Sequence, residues 1–458
     1  MRFVRELTRW LSESATAADF PYSPVLHRFH SVGKHFVPDD LLVDLDRIRR
    51  HLPARTTVEP ASARLLRDFL DVALDKWDGR YDYRSYLALP VLRLTGGDTH
   101  DHPGDTVGRL TGDTVGQPGH TDGRPGDTDG HSDDAAPGGD PGSARRDRDL
   151  LLVRLVADVL AFELAARDGT DLLPEQRPGP AVVTKRCRLG IRAAAPALAR
   201  LGLAAAVAGQ DPTTAARTLP ALVAGGGPTA GLALRLSLLP VYVSHDEYLF
   251  IRVLQAYECI FAGLATELRA VMAALCTGLA RDAAERLAYA RDVLTDAGPL
   301  FSLLATMQPE AFRTFREYTE GASAIQSHSY KLMESLCRTP ERSRLDSAAY
   351  RSVPQVRDRV LGGQSSIDGA YRAAVREGLL SGAARELVES RMRTFAAAVL
   401  QWRRTHHRLA TRMLGERRGT GYTEGTPYLA GVRSIAVFTA VGSGCPAPTI
   451  EANGGCPV

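Results

Sequence analysis

Apolar residues recur at intervals of three and four along most of the chain, which is the period of an amphipathic helix. Alternation with a period of two, which is typical of strands, is scarce. In the first half of the chain the spacing predicts helices over 2–13, 39–51, 61–76, 148–167, 191–208 and 213–223. The pattern predicts an all-α fold.

The helical pattern is sharper in the second half. Ser244 and Glu247 have the spacing of a capping box, in which a hydroxyl and a carboxylate bind free backbone N–H groups at a helix start. A helix is therefore predicted from this point to about Leu275. Its apolar face comprises Phe250, Val253, Leu254, Tyr257, Phe261, Leu264 and Leu268. Further helices are predicted over 281–296, 309–319, 322–337, 353–361, 366–379 and 383–415.

One segment interrupts this pattern. It is rich in Gly, Asp, Thr, Pro and His, and it has almost nothing to bury, so a disordered insertion is predicted. The chain then divides into a helical N-terminal region, the insertion, the continued N-terminal region, a second helical domain and a flexible tail. In that order the predicted ranges are 1–94, 95–147, 148–235, 236–433 and 434–458.

The charge balance and the apolar runs of the chain limit the binding partners and the location that can be expected. The 458 residues include 56 basic and 53 acidic side chains, a formal net charge of +3, so neither nucleic acid nor an anionic membrane is expected as a partner. The N-terminal residues lack the apolar run of a secretory signal, and no run approaches a membrane span. A soluble, cytoplasmic protein is predicted. Reduced thiols without a structural zinc site are expected for Cys187, Cys259, Cys276, Cys337, Cys445 and Cys456.

The predicted helix 383–415 carries a histidine within its apolar stripe. The stripe consists of Phe395, Val399, Trp402, His406, Leu409 and Met413, so His406 is expected to face the interior. His407 is rotated by about 100° from that stripe. An inward-facing histidine is most often a hydrogen-bonded structural residue. A neutral imidazole held on an apolar face is also what an axial heme ligand requires.

Two further features have both a functional and a structural interpretation. Arg316 shares a helix face with Phe312, where its planar fork fits a carboxylate; a surface ion pair with Glu320 is the alternative. The glycine-rich loop 419–425 offers backbone N–H groups to an anionic or polar ligand, or forms a plain turn. His245, Asp246 and Glu247 suit a metal or acid–base site, but helix capping already explains two of the three residues. His27, His30 and His35 are interpreted as part of a loop.

Three stretches together resemble the tryptophan 2,3-dioxygenase superfamily of heme enzymes. HDEYLFIRVLQAYE at 245–258 is similar to the family's HDExLFIxxHQxxE helix. FRTFR at 312–316, followed by GASAIQS at 321–327, resembles YxxFR and an SSGFQS-like stretch. WRRTH at 402–406, followed by GTG at 419–421, resembles WRxxH and a GTGG loop. The resemblance covers 236–433 and implies a helical bundle of this type with an additional N-terminal region.

The resemblance implies a site for heme b, with His406 as the proximal iron ligand and Trp402, Gly419 and Gly421 around the cofactor. The implied substrate-binding residues are Phe250, Leu254, Phe312, Arg316 and Thr420. Arg316 would bind an amino-acid carboxylate, Thr420 would hold the ammonium group beside a heme propionate, and Phe250 would cover the ring. The chain departs from the family at Leu254, where a distal histidine is usual, and at Phe312, where a tyrosine is usual. No catalytic residue is assigned.

The implied function is insertion of both atoms of O₂ across the indole C2–C3 bond of tryptophan or a related aromatic amino acid. The product type is N-formylkynurenine, as in tryptophan catabolism. The alternatives are a heme-dependent hydroxylase of a tyrosine-like amino acid in secondary metabolism and a non-catalytic heme-binding protein, for which the Cys-Pro pairs at Cys445 and Cys456 are candidate features. The resemblance also implies a homotetramer.

Overall fold

The computed structural model describes the chain over 6–7, 9–10, 16–52, 59–93, 141–225, 227–415 and 425–441. Within these ranges the structure is helical with no strand, apart from a single β-bridge between Glu175 and Ser244, so the all-α prediction is confirmed. The helices are α1 (Tyr22–Val32), α2 (Asp39–His51), α3 (Ala61–Ala73), α4 (Tyr83–Tyr86), α5 (Leu89–Leu92), α6 (Pro141–Arg167), α7 (Pro180–Arg200), α8 (Pro212–Leu222), α9 (Gly227–Leu236), α10 (His245–Cys276), α11 (Ala280–Asp296), α12 (Gly298–Leu304), α13 (Pro309–Arg316), α14 (His328–Cys337), α15 (Arg342–Leu345), α16 (Ala348–Arg351), α17 (Pro354–Leu361), α18 (Ile367–Arg376), α19 (Gly382–Leu414) and α20 (Thr426–Val432). Single 3₁₀ turns occur at Ala17–Asp19, Lys34–Phe36, Ala204–Ala206, Glu317–Thr319 and Ala324–Gln326.

Helix α10 is the centre of the main core. It packs against α6, α11, α14 and α18, and most of its residues are buried on every side. Its length and composition would also suit a membrane span, but 61% of its most apolar stretch is buried inside the protein. Its apolar character therefore follows from its place in the core, because a helix covered all round is apolar all round.

The N-terminal helices enclose a smaller core of their own. Side chains of α1, α2 and α3 form this cluster, and Leu236 and Leu239 join it from the chain just before α10. A buried ion pair, Lys34 Nζ to Asp75 Oδ2 at 2.6 Å, lies within the same region. The N-terminal region is therefore held to the main core through the segment that leads into α10.

The long helix α19 lies along α11 and also contacts α12, α13 and α20. Its residues Val388, Met392, Phe395 and Val399 are buried against the main core, as their spacing predicts. Residues 434–441 return to this helix, where the Phe438 ring packs on Phe395 with 6.2 Å between centroids. The prediction of a flexible tail from 434 is therefore wrong for 434–441, whereas 442–458 lie outside the described residues.

Several predicted boundaries differ from the structure. Helix α7 begins at Pro180, not at 191. It ends at Arg200, not at 208, because Gly202 takes a positive φ of 75°. Residues 141–147, assigned to the insertion, are helical and open α6, while 94–140 are outside the described residues. His27 and His30 lie in helix α1, so the loop prediction for them is wrong.

The predicted capping box at the start of α10 is also wrong. Ser244 is the N-cap residue, but its hydroxyl donates to Gln176 Oε1 at 3.1 Å instead of capping the helix. The Glu247 carboxylate accepts the N–H groups of Val241 (2.7 Å) and Tyr242 (3.0 Å). The N–H of His245 is satisfied by the Glu175 carbonyl at 2.9 Å, so tertiary contacts replace the local motif.

His245 and Asp246 instead join a buried charged network around Arg186. The guanidinium donates to Glu163 Oε1 at 2.7 Å, to Asp246 Oδ1 at 2.6 Å and to Thr306 Oγ1 at 3.0 Å. Burial raises the pKa of Glu163, but its contact with His245 and the charge of Arg186 outweigh this and lower that pKa. The network joins α6, α7 and α10 at the start of the central helix.

Candidate functional site

A cavity lies between the central helix α10 and the long helix α19. Helices α12, α13, α14 and α20 close its sides, and α4 of the N-terminal region contributes a further wall. The cavity has a volume of about 190 Å³. The lining is mostly apolar and aromatic with a few charged groups, which is typical of a small-molecule site.

His406 faces this cavity from α19, within a group of stacked aromatic rings. Its ring lies 5.2 Å from Trp402 and 6.2 Å from Phe301, measured between centroids. Burial, with a smaller effect of the charge on His407, lowers the pKa of His406 to about 4. None of the described residues hydrogen-bonds to its ring nitrogens. At neutral pH the cavity therefore contains an uncharged imidazole with a lone pair available to a ligand.

Trp402 lies one turn before His406 and fixes its surroundings. Its indole stacks on Tyr330 at 5.2 Å and meets Phe261 edge-on at 5.1 Å. Such offset and edge-to-face contacts stabilise aromatic rings in fixed positions. The wall next to His406 therefore consists of aromatic rings held in place by one another.

A second set of rings lies around Arg316. Phe250 packs against Phe312 at 5.5 Å and against Phe315 at 5.3 Å. Phe312 and Arg316 are half-buried and, like Leu254, line the cavity. Glu320, the partner that the alternative prediction assigns to Arg316, contacts Lys76 Nζ at 2.8 Å and His35 Nδ1 at 3.0 Å through its Oε1 atom.

Two tyrosines from helix α4 complete the cavity from the N-terminal side. The Tyr83 hydroxyl donates to Glu258 Oε1 at 3.1 Å, and the Tyr86 hydroxyl donates to Glu247 Oε1 at 3.2 Å. Both rings are buried and line the cavity with Glu258. A segment outside the resembling region thus forms part of the candidate site.

Buried cations border the cavity near α14. Glu334 accepts from Arg344 Nη2 at 2.7 Å and from Arg403 Nη2 at 2.8 Å, while Lys331 donates to the Tyr428 hydroxyl at 3.2 Å. Burial raises the pKa of Glu334, but the charges of Arg344, Lys331 and Arg403 hold it well below its usual range. Among the described residues this cluster has three cations and one carboxylate, so it carries an excess positive charge.

The structure brings most of the sequence-predicted site residues to one cavity. The residues found in its lining are Phe250, Leu254, Phe312, Arg316, Trp402 and His406. Thr420, Gly419 and Gly421 lie outside the described residues, although Gly425 and Tyr428 just after them line the cavity. His407, next to His406, is absent from the described lining.

Sequence reasoning missed several lining residues. These are Tyr83, Tyr86, Tyr257, Glu258, Phe301, Tyr330 and Lys331. The motif at 245–258 ends at Glu258 and so contained a signal for it, because Glu258 lies one turn after Leu254 on the same helix face. The sequence near Tyr83 and Tyr86 contained no comparable signal.

Comparisons with known proteins place part of the chain in one enzyme family. The model of the family named tryptophan 2,3-dioxygenase matches residues 239–360. A tryptophan 2,3-dioxygenase of Nocardioides sp. is 31% identical over 219 residues, which are 41% of this chain and 79% of that protein. The corresponding enzyme of Bordetella pertussis is 28% identical over 233 residues, 43% and 82% of the two chains. That of Burkholderia lata is 26% identical over 234 residues, 43% and 75%.

The chain is an all-α protein with an aromatic cavity, and among the described lining residues His406 is the single imidazole. The matched relatives are covered over more than two thirds of their length. The chain belongs to the tryptophan 2,3-dioxygenase family, as a divergent member, and is an oxidoreductase of that class.

Proposed function

We propose that this chain is a heme-dependent dioxygenase that acts on tryptophan or a closely related aromatic amino acid. The observation that carries the proposal is the position of His406 in the wall of the aromatic cavity, in a chain of this family. Heme b is the proposed cofactor, and His406 is its proposed axial ligand.

The residues around His406 fit a heme group. The pKa of His406, about 4, leaves the imidazole neutral at physiological pH, and a neutral imidazole is the form that binds iron. Phe301, Phe261 and Trp402 supply flat apolar surfaces for a porphyrin. These features support a bound macrocycle at the α19 side of the cavity.

The cation cluster near α14 fits the carboxylates that a heme carries. Lys331 is only 2% exposed and lines the cavity, and its ammonium group lies over the rings of Tyr330, Tyr350 and Tyr428. A buried positive charge in excess is costly unless an anion meets it. We propose that Lys331 receives a heme propionate, with Arg403 and Arg344 holding Glu334 in place behind it.

When bound, heme supplies the redox-active iron that activates O₂. The chain positions the substrate: the Arg316 guanidinium binds the carboxylate, and Phe250 and Phe312 cover the aromatic ring. Thr420 and its loop are proposed to hold the ammonium group. The aromatic walls exclude water, so the ring is held in one orientation and side reactions with solvent are suppressed. Both oxygen atoms of O₂ enter the indole C2–C3 bond in the proposed reaction.

The remaining expectations about the whole protein are also proposals. Cytoplasmic location is supported by the free thiols of Cys187, Cys259, Cys276 and Cys337, the cysteines within the described ranges. A homotetramer is proposed from the family resemblance.

The proposed reaction has a direct test. Reduced, heme-loaded protein is mixed with L-tryptophan and ¹⁸O₂, and the product is analysed by mass spectrometry. We expect N-formylkynurenine that contains both labelled oxygen atoms, and none from protein prepared without heme. Formation of a singly oxygenated tyrosine or tryptophan instead would replace the dioxygenase proposal by the hydroxylase alternative.

Replacement of Lys331 by methionine is expected to weaken heme binding by about 10- to 100-fold, because a buried charge-assisted hydrogen bond is lost. The measurement is a titration of heme-free protein followed by the Soret absorbance. Iron protoporphyrin IX dimethyl ester, which has no free carboxylate, is titrated in parallel. The native protein should prefer the free acid, and Lys331→Met should lose this preference.

The chain offers a matched control for this variant. Lys185 is an exposed lysine on α7, and Lys185→Met makes the same chemical change away from the cavity. We expect it to retain the native preference for the free acid. Equal binding of acid and ester by the native protein would show that Lys331 has another role.

A further inference from the structure

A buried carboxyl group lines the cavity, and only one of its two oxygens has a hydrogen-bond partner among the described residues. Glu258 is 1% exposed and lines the cavity beside Leu254. Its Oε1 atom accepts the Tyr83 hydroxyl at 3.1 Å, but its Oε2 atom is buried without a hydrogen-bond partner. A buried carboxylate oxygen without a partner is costly, so this atom is suited to a donor that a ligand brings.

The surroundings of Glu258 provide no compensating cation in direct contact among the described residues. Burial raises the pKa of Glu258, and Ser327, Ser329 and Tyr83 oppose that rise, together with the charge of Arg84, which is not in contact with the carboxyl group. The two serines are close to the carboxyl group, but neither forms a hydrogen bond of normal geometry with Oε2. The rest of this part of the cavity consists of rings and aliphatic groups, including Phe250, Leu254 and Tyr86.

Leu254 occupies the position at which a histidine would be expected from the family resemblance, and its side chain accepts no hydrogen bond. Glu258 lies four residues later, one turn along the same face of α10, and therefore reaches the same cavity. Relative to the family's histidine, the polar group on this wall therefore lies one helical turn later, at Glu258. Tyr83, from the N-terminal region, binds one oxygen of the carboxyl group, and the other has no hydrogen-bond partner among the described residues.

We infer that Glu258, oriented by Tyr83, accepts a hydrogen bond from a donor on the ring of the aromatic substrate. The substrate class is an aromatic amino acid with a ring N–H or O–H group, such as an indole or a phenol. Glu258 is a specificity-determining residue and Tyr83 a positioning residue. The inference rests on the proposed function, because it requires that the cavity binds an aromatic amino acid.

The test compares ligands that differ only in the ring donor. L-tryptophan is paired with 3-(3-benzothienyl)-L-alanine, in which sulfur replaces the ring N–H, and L-tyrosine is paired with L-phenylalanine. Dissociation constants are measured on ferric heme-loaded protein by the change in its absorption spectrum, without turnover. One of the two pairs, the indole pair or the phenol pair, should bind better. Within that pair we expect the native protein to bind the ligand with the ring donor about 10- to 100-fold more tightly than the ligand without it.

Three variants separate specificity from folding. Glu258→Met removes the acceptor with little change in volume and should reduce the discrimination to less than about threefold. Glu258→Gln keeps one acceptor oxygen and should give an intermediate ratio. Tyr83→Phe leaves the carboxyl group unoriented and should also reduce the ratio, while exposed Glu285→Met should leave it unchanged. A purely structural role would weaken both ligands of a pair equally and leave their ratio as in the native protein.

The outcomes are distinguishable from those of the proposed function. The inference is overturned if the native protein binds both ligands of each pair equally. It is also overturned if Glu258→Met discriminates between them as the native protein does. The serine hydroxyls would then satisfy the carboxylate. If Glu258→Met does not fold, an unchanged ratio in both Glu258→Gln and Tyr83→Phe has the same meaning. If the native protein binds none of the four amino acids, the inference and the proposed function are both overturned.

Discussion

Replacement of His406 by alanine is expected to remove stoichiometric heme binding. The side chain is the single imidazole in the described lining of the cavity, and the pKa of about 4 keeps it neutral. Without it the iron loses its proposed protein ligand, and only the apolar contacts and the proposed Lys331 contact hold the porphyrin. The measurement is the absorption spectrum of purified protein, expressed with heme, in the ferric, ferrous and ferrous–CO states. The native spectrum should be that of a histidine-ligated heme, and the variant should lack it.

The adjacent histidine is the control. His407→Ala changes the same residue type one position away and should retain the native spectrum, because His407 is not in the described cavity lining. Added imidazole should restore a histidine-like spectrum to His406→Ala by entering the space left by the side chain. Heme loading of the native protein should persist from neutral pH downward and fall as the pH approaches 4, where His406 becomes protonated. A native-like spectrum in His406→Ala would rule out His406 as the ligand.

Replacement of Arg186 by methionine is expected to destabilise the fold by about 3–5 kcal/mol, because it leaves two buried carboxylates without their guanidinium partner. Arg186, Glu163 and Asp246 are all fully buried, and the two carboxylates are 2.7 Å and 2.6 Å from the guanidinium. Their desolvation is no longer compensated in the variant. The measurement is urea denaturation followed by circular dichroism, with the native protein beside the variant.

Arg188→Met provides the comparison for this prediction. Arg188 is exposed on the same helix, and a surface substitution of this kind usually changes stability by less than about 0.5 kcal/mol. A loss below about 1 kcal/mol in Arg186→Met would mean that the network rearranges or takes up water when the guanidinium is removed. The HDE stretch at 245–247 would then need another structural explanation.

The regular helices were predictable because their apolar spacing is local information. The periods at 39–51, 353–361 and 383–415 correspond to α2, α17 and α19 within one or two residues. The same spacing oriented His406 and Trp402 toward the core. A helical period fixes which residues share a face, and burial of the apolar face then follows from the hydrophobic effect.

Local motifs were less reliable where distant groups compete for the same atoms. The hydroxyl of Ser244 contacts Gln176, 68 positions earlier in the chain, and Glu247 binds backbone N–H groups outside α10. The predicted helix over 322–337 begins only at His328, after a 3₁₀ turn at Ala324–Gln326. At Ser244 and Glu247 the local pattern was present, but tertiary contacts offered better partners for the polar groups. At His328 the helix start is set locally, because the Ser327 hydroxyl accepts the Tyr330 N–H at 3.1 Å.

The all-α class, the faces of the long helices and, through the resemblance of three motifs, the family could be predicted from the amino-acid sequence. The folded chain was needed to show that Tyr83 and Tyr86 join the cavity, that Lys331 borders it with excess positive charge, and that Glu258 has one oxygen without a partner among the described residues. Periodicity acts over a few residues, whereas burial and hydrogen-bond satisfaction depend on groups brought together from distant parts of the chain.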